Sequence, residues 1–282
     1  MKYFVIADVH GCYKEMIRAL NEAGFNSKNE NHTLISCGDV IDRGPDSTKI
    51  IKYLIDLPRK ILIRGNHEDL LKDLMNRSYG PYYHDITNGT YDTFLQIASK
   101  YTNQHYGFKI TRNSMHYFDF DEVRQHALSE TDYQTYDSLL VDYFETDNYV
   151  FVHGFIPTIR DNFTGEETVI TNWRQKATIK DWHEARWTHN IGVNYKFKIK
   201  DDMNKKIVCG HIHSCYGNIR KKYGWDITRE KENEIINKNI KLKNRYKEYD
   251  KDLFNIYENE DLICLDSLTI LTKKVNVFVF EE

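Results

Sequence analysis

The chain has 282 residues, 40% of them hydrophobic and 29% charged, and a formal net charge of −3. No apolar run approaches the roughly 18–20 residues that a membrane span needs, and this charge balance offers no general attraction for nucleic acid. Five scattered cysteines without a Cys-x-x-Cys pair argue against a disulfide framework and a zinc ribbon.

Met1 runs directly into "KYFVIADVHG", too short an apolar stretch for a secretory signal, so it reads as a first strand of a cytoplasmic protein. "YFVIA" (3–7) is followed by "YKEMIRALNEAG", where Met16, Leu20 and Ala23 share a helical face that ends at Gly24. "HTLISCG" is a second strand, and "DSTKIIKYLIDLP" a helix stopped before Pro58. "KILIRG" is a third strand and "HEDLLKDLMNR" opens a third helix. Strands and helices in this alternation predict βαβαβ with a parallel sheet. Residues 79–147 are polar and tyrosine-rich, with helical stretches "YDTFLQIASKY" and "DYQTYDSLLVDYFET"; they read as a helical insertion within one domain spanning 1–282. Strands resume at "YVFVH" and "KIVCGH", and "LICLD" and "KVNVFVFE" read as a closing hairpin pair. Cys37, Cys209 and Cys264 sit in apolar strands as small core residues. A second insertion, about 218–260, is dense in Lys, Asn and Glu and reads as a long exposed helix or an extended loop, a solvated charged face by default.

Polar residues collect where strands end: "ADVHG" (7–11), "GDVIDRG" (38–44), "RGNHE" (64–68), His153 after "VFV", and His211 and His213 in "VCGHIH". Ligands of open α/β sheets bind beyond the carboxyl ends of the strands, so these segments are predicted to converge. Each alone is a plain turn or, at Asn66 and Glu68, a helix start; all five in order are not. On a continuing strand, only one of His211 and His213 points into the site.

Carboxylates, imidazoles and an amide oxygen without thiolate suit divalent Mn, Fe or Zn. Two such ions sharing an aspartate can activate water and hold a phosphate oxygen. Arg43 and Arg64 have the fork geometry that grips phosphate. The pattern points to metal-assisted phosphoester hydrolysis.

These motifs, A-D-V-H-G, G-D-V-I-D-R-G, G-N-H-E, H-G and G-H-I across residues 7–211, resemble the metallophosphoesterase superfamily. Within it they are most similar to the PPP serine/threonine phosphatases of bacteria and bacteriophages. The resemblance implies an α/β fold of β-sheets flanked by helices, with a dinuclear metal site at the C-terminal strand ends. It implies that Asp8, His10 and Asp39 hold one ion, and that Asp39, Asn66, His153 and His211 hold the other. The cofactors would be two divalent ions, Mn²⁺ first, with Fe or Zn as alternatives. A hydroxide held between them would attack phosphorus in line. His67 would protonate the leaving oxygen, oriented by Asp42, while Arg43 and Arg64 bind the phosphoryl oxygens.

Three positions depart from the pattern. Ala7 replaces the first glycine and Ile212 a common threonine. His189 stands where a Trp-x-Arg motif would place another phosphate-binding arginine, which leaves Arg186, on the other side of Trp187, as the candidate substitute. The implied activity is phosphomonoesterase, on phosphorylated serine or threonine (tyrosine also) of a protein partner or on small phosphoesters. Rival readings are a symmetrical dinucleoside tetraphosphatase, a nucleotide phosphodiesterase and a non-enzymatic scaffold. Dinucleoside tetraphosphatases of this resemblance carry Ala at the Asp42 position and Asp at the Glu68 position, which favours the phosphatase; a scaffold would have lost ligands that are all present here.

Overall fold

In the computed structural model, residues 1–107, 110–113, 118–160, 163, 167–191, 205–246 and 250–282 are described. Parts of the two expected insertions, residues 108–109, 114–117 and 247–249, lie outside them.

The first third alternates as its apolar periodicity dictates: β1 (Lys2–Ile6), α1 (Tyr13–Glu22), β2 (His32–Ser36), α2 (Ser47–Asp56), β3 (Lys60–Ile63) and α3 (Asn66–Asn76). Helices α4 (Tyr83–Thr87), α5 (Thr90–Ile97), α6 (Ser99–Tyr106), α7 (Phe120–Ser129) and α8 (Thr131–Leu139) follow. Next come β4 (Leu140–Val141), β5 (Phe144–Glu145), β6 (Tyr149–Phe151), the β7 (Thr158–Arg160) and β8 (Glu167–Val169) hairpin, α9 (Trp173–Lys176) and α10 (Ile179–Arg186). The chain closes with β9 (Lys206–Cys209), α11 (Ser214–Tyr223), α12 (Arg229–Tyr246), β10 (Tyr257–Glu258), β11 (Leu262–Cys264), α13 (Thr269–Thr272) and β12 (Phe278–Glu281).

Two five-stranded sheets result, ordered β12-β1-β2-β3-β4 and β10-β11-β9-β6-β5. β1 to β4 run parallel, as do β11, β9 and β6, while β12, β10 and β5 add antiparallel edges. Strand alternation sends Val5, Ile35 and Ile63 inward against Phe151, Val208 and Ile263 of the second sheet and sends Phe4, Leu34 and Leu62 outward under α1, α2 and α3. Both faces are covered, which is why these strands read as unbroken apolar runs.

Three expectations change. "LICLD" and "KVNVFVFE" are not a hairpin: β11 lies parallel to β9 in one sheet, and β12 antiparallel to β1 in the other. Leu265–Val277, including α13, carries the chain between sheets, far more than the few residues a hairpin turn uses. The helix expected over "DYQTYDSLLVDYFET" stops at Leu139, because the following residues extend as β4 beside β3 and β5 beside β6. α12 is a long helix, but not solvated all round: Glu232 and Ile236 are buried, and Glu232 accepts hydrogen bonds from Arg220 at 2.6 Å and Arg229 at 3.4 Å. Helices α5, α7 and α8 place Tyr91, Phe94, Val123, Tyr133 and Tyr136 in the same apolar cluster as α2 and α3. Among the described residues no helix is long and apolar enough to cross a membrane.

Candidate metal centre

The parallel strands deliver their polar residues to one edge. Asp8 and His10 follow β1; Asp39, Asp42 and Arg43 follow β2; Arg64, Asn66 and His67 follow β3; His153 follows β6 and His211 follows β9. Six of these residues adopt left-handed backbone: Asp8 (φ 52°), His10 (48°), Asp39 (52°), Asp42 (68°), Arg43 (64°) and His211 (65°). Each such residue costs on the order of 1–3 kcal/mol, and this kind of strain persists where surrounding structure over-determines it. Gly38 (φ 84°) allows the β2 and β3 ends to touch, since a Cβ there would lie 2.7 Å from the Gly65 backbone.

Two donor groups share Asp39. His10, Asp39 and His67 form one, and Asp39, His153 and His211 the other, each with ligand atoms within 4.8 Å of one another. Three imidazoles are aimed by backbone groups. His10 Nδ1 donates to the Ile41 carbonyl at 3.0 Å, His153 Nδ1 to the Cys37 carbonyl at 2.7 Å, and the His211 ring hydrogen-bonds the Trp187 backbone. His10 Nε2, His153 Nε2 and His211 Nδ1 are thereby turned inward, the usual way ligating histidines are oriented. Asn66 Oδ1 lies 2.8 Å from His153 Nε2 and 2.9 Å from His211 Nδ1. Asp39 Oδ1 accepts the His67 amide at 2.9 Å and is 3.3 Å from His153 Nε2. Asp8 stands beside these groups, its carboxylate accepting the His211 amide at 3.0 and 3.1 Å.

His67 Nδ1 donates to Asp42 Oδ2 at 2.8 Å. Asp42 is fully buried and also accepts from Thr90 Oγ1 at 2.6 Å, while its amide donates to Ser47 and Thr93 hydroxyls at 3.1 Å. Burial opposes protonation of His67, but Asp39 and Asp42 outweigh it and raise its pKa above the ordinary histidine value. Arg43 spans the two rings, with Nη1 3.0 Å from His10 Nε2 and Nη2 2.9 Å from His67 Nε2.

The other two arginines are held in ion pairs. Arg64 Nη2 donates to Asp137 Oδ1 at 2.7 Å, and its Nη1 lies 3.9 Å from Asp69. Arg186, also buried, donates Nε to Asp69 at 2.7 Å and Nη1 to Asp142 at 2.9 Å. Of the three, Arg43 is the one that hydrogen-bonds imidazoles of the donor cluster.

Several contributors carried no sequence signal or were left unassigned. Glu68, legible as an acidic helix start, is buried and accepts the amides of Asp39 (2.9 Å), Val40 (3.1 Å) and Gly65 (2.8 Å) and the Tyr136 hydroxyl (3.1 Å). It staples the Asp39 turn to the head of α3. Thr90 and Thr93 come from the stretch read as a helical insertion. Asp266, at the end of "LICLD", accepts His213 Nδ1–H at 2.6 Å. β9 stops at Cys209, so strand alternation does not separate the two histidines: His211 turns to Asn66 and His213 to Asp266.

Burial, then Asp266 and Asp39, push the Asp8 pKa well above the usual carboxylate range. Asp39 is driven the opposite way: burial raises it, and His153 and His67 bring it well below that range. Buried carboxylates gathered this closely call for a cation. The oxygen and imidazole donors gathered here fit a divalent ion of the hard-to-borderline type.

Among curated proteins, the symmetrical bis(5'-nucleosyl)-tetraphosphatase of Buchnera aphidicola subsp. Schizaphis graminum is 45% identical over 69 residues, 24% of this chain and 24% of that protein. The asymmetrical bis(5'-nucleosyl)-tetraphosphatase of Oceanobacillus iheyensis is 41% identical over 76 residues, 24% of this chain and 30% of that protein. The similarity thus spans only about a quarter of the length of these relatives. The fold matches a cold-active protein-tyrosine phosphatase of a Shewanella species with a TM-score of 0.50 at 12% identity, covering 100% of this chain and 75% of that one. The calcineurin-like phosphoesterase family matches residues 1–215, which take in every strand-end cluster from Asp8 to His213. With that match over most of its length, the chain belongs to the calcineurin-like phosphoesterases.

Proposed function

We propose that the protein is a metal-dependent phosphomonoesterase, acting on phosphoserine or phosphothreonine of a protein partner, and on phosphotyrosine and small phosphoesters. Asp8, His10 and Asp39 hold one divalent ion, and Asp39, Asn66, His153 and His211 the other, with Mn²⁺ the first choice. Ions bound there supply Lewis-acid polarisation of phosphoryl oxygens and a nucleophile at neutral pH. Arg43 binds the phosphoryl oxygens, and His67 delivers the proton to the departing oxygen, with Asp42 holding the imidazole through Nδ1. Arg64, held by Asp137 through Nη2, keeps Nη1 without a hydrogen-bond partner among the described residues and joins Arg43 on the phosphoryl oxygens, whereas Arg186, held by Asp69 and Asp142, braces α3. Five buried free cysteines suit a cytoplasmic setting.

The observation that carries the monoester reading is the Asp42–His67 pair. A serine or threonine alkoxide is a strong base and leaves only with a proton, whereas a nucleoside phosphate leaves readily without one. The names of the curated relatives favour a second reading, hydrolysis of dinucleoside tetraphosphates. Stripped enzyme reconstituted with Mn²⁺ is assayed on phosphoserine peptide, p-nitrophenyl phosphate, diadenosine tetraphosphate and 2′,3′-cyclic nucleotides. Monoester turnover that EDTA abolishes supports the proposal. Turnover confined to the tetraphosphate replaces it with the second reading, and no turnover with Mn²⁺, Fe²⁺ or Zn²⁺ ends the hydrolase assignment of this site.

A further inference from the structure

We propose that Asn190 is a positioning residue that sets the spacing of His153 and His211, and thereby the cation affinity of the half-site they form with Asp39 and Asn66. The inference rests on the metal centre proposed above. Asn190 lies four residues beyond the end of α10, where the chain turns helical again, and is fully buried. Its Nδ2 donates to the Gly210 carbonyl at 2.7 Å and the Gly154 carbonyl at 3.2 Å, and its Oδ1 accepts the Ile191 amide at 2.7 Å. Gly154 directly follows His153, and Gly210 directly precedes His211. One side chain therefore ties the two strand-end loops that bear these histidines, alongside a single backbone bond from the Gly210 amide to the His153 carbonyl at 2.9 Å.

The segment between α10 and Asn190 reaches the half-site twice more. Trp187 hydrogen-bonds the His211 ring through its backbone and sets its indole edge-on to that ring at 6.0 Å. The end of α10 is pressed against the His153 loop, since a Cβ on Gly154 would lie 2.5 Å from the Ala185 carbonyl and 2.7 Å from that of Arg186. Buried carbonyls require donors. A primary amide gives one hydrogen to each of two carbonyls while its oxygen takes the next amide. An aspartate there points a carboxylate at both carbonyls and forces the loops apart. Near Trp187, where the resemblance implies a phosphate-gripping arginine, the segment after α10 supplies a loop-spacing amide.

The test is Mn²⁺ titration of the EDTA-stripped full chain, followed by calorimetry and electron paramagnetic resonance, for wild type, Asn190→Asp and Asn190→Ala. Wild type is expected to bind two ions with an exchange-coupled spectrum. Both variants are expected to keep one site, to bind the second ion roughly 10–100-fold more weakly, and to lose the coupled signal at stoichiometric metal. If Asn190→Asp does not fold, Asn190→Ala, which removes the donor without adding charge, carries the same test. Variants that bind both ions with wild-type affinity overturn the inference, even if their metal-free unfolding temperature falls, because Asn190 is then only packing. Wild type that binds no Mn²⁺ overturns the metal centre itself and this inference with it.

Discussion

Asp42→Asn separates proton delivery from the rest of the site. The asparagine keeps the shape of the aspartate and can still accept from His67 and Thr90, but the negative charge is lost. What is lost is the charge in a fully buried, charge-assisted contact of 2.8 Å, of the kind that contributes about 1.5–3 kcal/mol. At about 1.4 kcal/mol per decade, this predicts a loss of about 10- to 150-fold in kcat/KM on phosphoserine peptide. p-Nitrophenolate departs without a proton, so that substrate should lose less than about threefold. The pH profile gives the sign independently. Burial opposes the His67 proton, but Asp39 and Asp42 raise the pKa above its ordinary value. Activity that needs the protonated ring fades as pH rises through that raised pKa. Removing the Asp42 charge lowers the pKa, so the alkaline decline moves to lower pH. Equal losses on both substrates, or a parallel fall in bound metal, would refute the assignment of His67 as the acid.

Arg43→Ala and Arg186→Ala should fail in different ways. The first should lower kcat/KM about 10- to 100-fold through lost phosphate contact with the unfolding temperature nearly unchanged. The second removes the tightest partner of Asp69 in α3, which keeps His183 at 3.0 Å and Arg64 at 3.9 Å, and should cost about 1.5–3 kcal/mol of stability; matching losses of affinity in both would contradict the placement of Arg186. Glu68→Gln replaces a carboxylate that accepts three backbone amides and a tyrosine hydroxyl with an amide that has one accepting oxygen. Thermal unfolding of metal-free protein should show a loss of about 2–3 kcal/mol, and an unchanged midpoint would deny Glu68 its stapling role.

Local chemistry made much of the site readable. The Asp, His, Asn and Arg residues of five strand ends are announced by short apolar runs that stop at polar clusters, and a parallel sheet brings such ends to one edge. What stayed unreadable acts across long separations or without distinctive residue types. Thr90 supports Asp42 from 48 positions away, and Tyr136 reaches Glu68 across 68. Asn190 spans 36 positions to Gly154. Threonine, tyrosine and asparagine are common in helices and turns for unrelated reasons, so nothing local marks these as partners. The His211 and His213 expectation was conditional on a strand that continues, and where β9 ends depends on what its neighbours pair with: His211 alone joins the donor group with Asp39 and His153.

The β-α-β-α-β opening, the strand-end donors and the class of chemistry they can perform are legible from the residues alone. Those follow from side-chain periodicity and from ligand type, which are properties of short segments. Tertiary packing settles that the last two strands enter different sheets, that Arg186 is held in ion pairs while Arg43 bonds His10 and His67, and that Thr90 of a helical stretch holds the Asp42 carboxylate. Each of these is a choice among partners of equal local merit, and burial against the rest of the fold makes the choice.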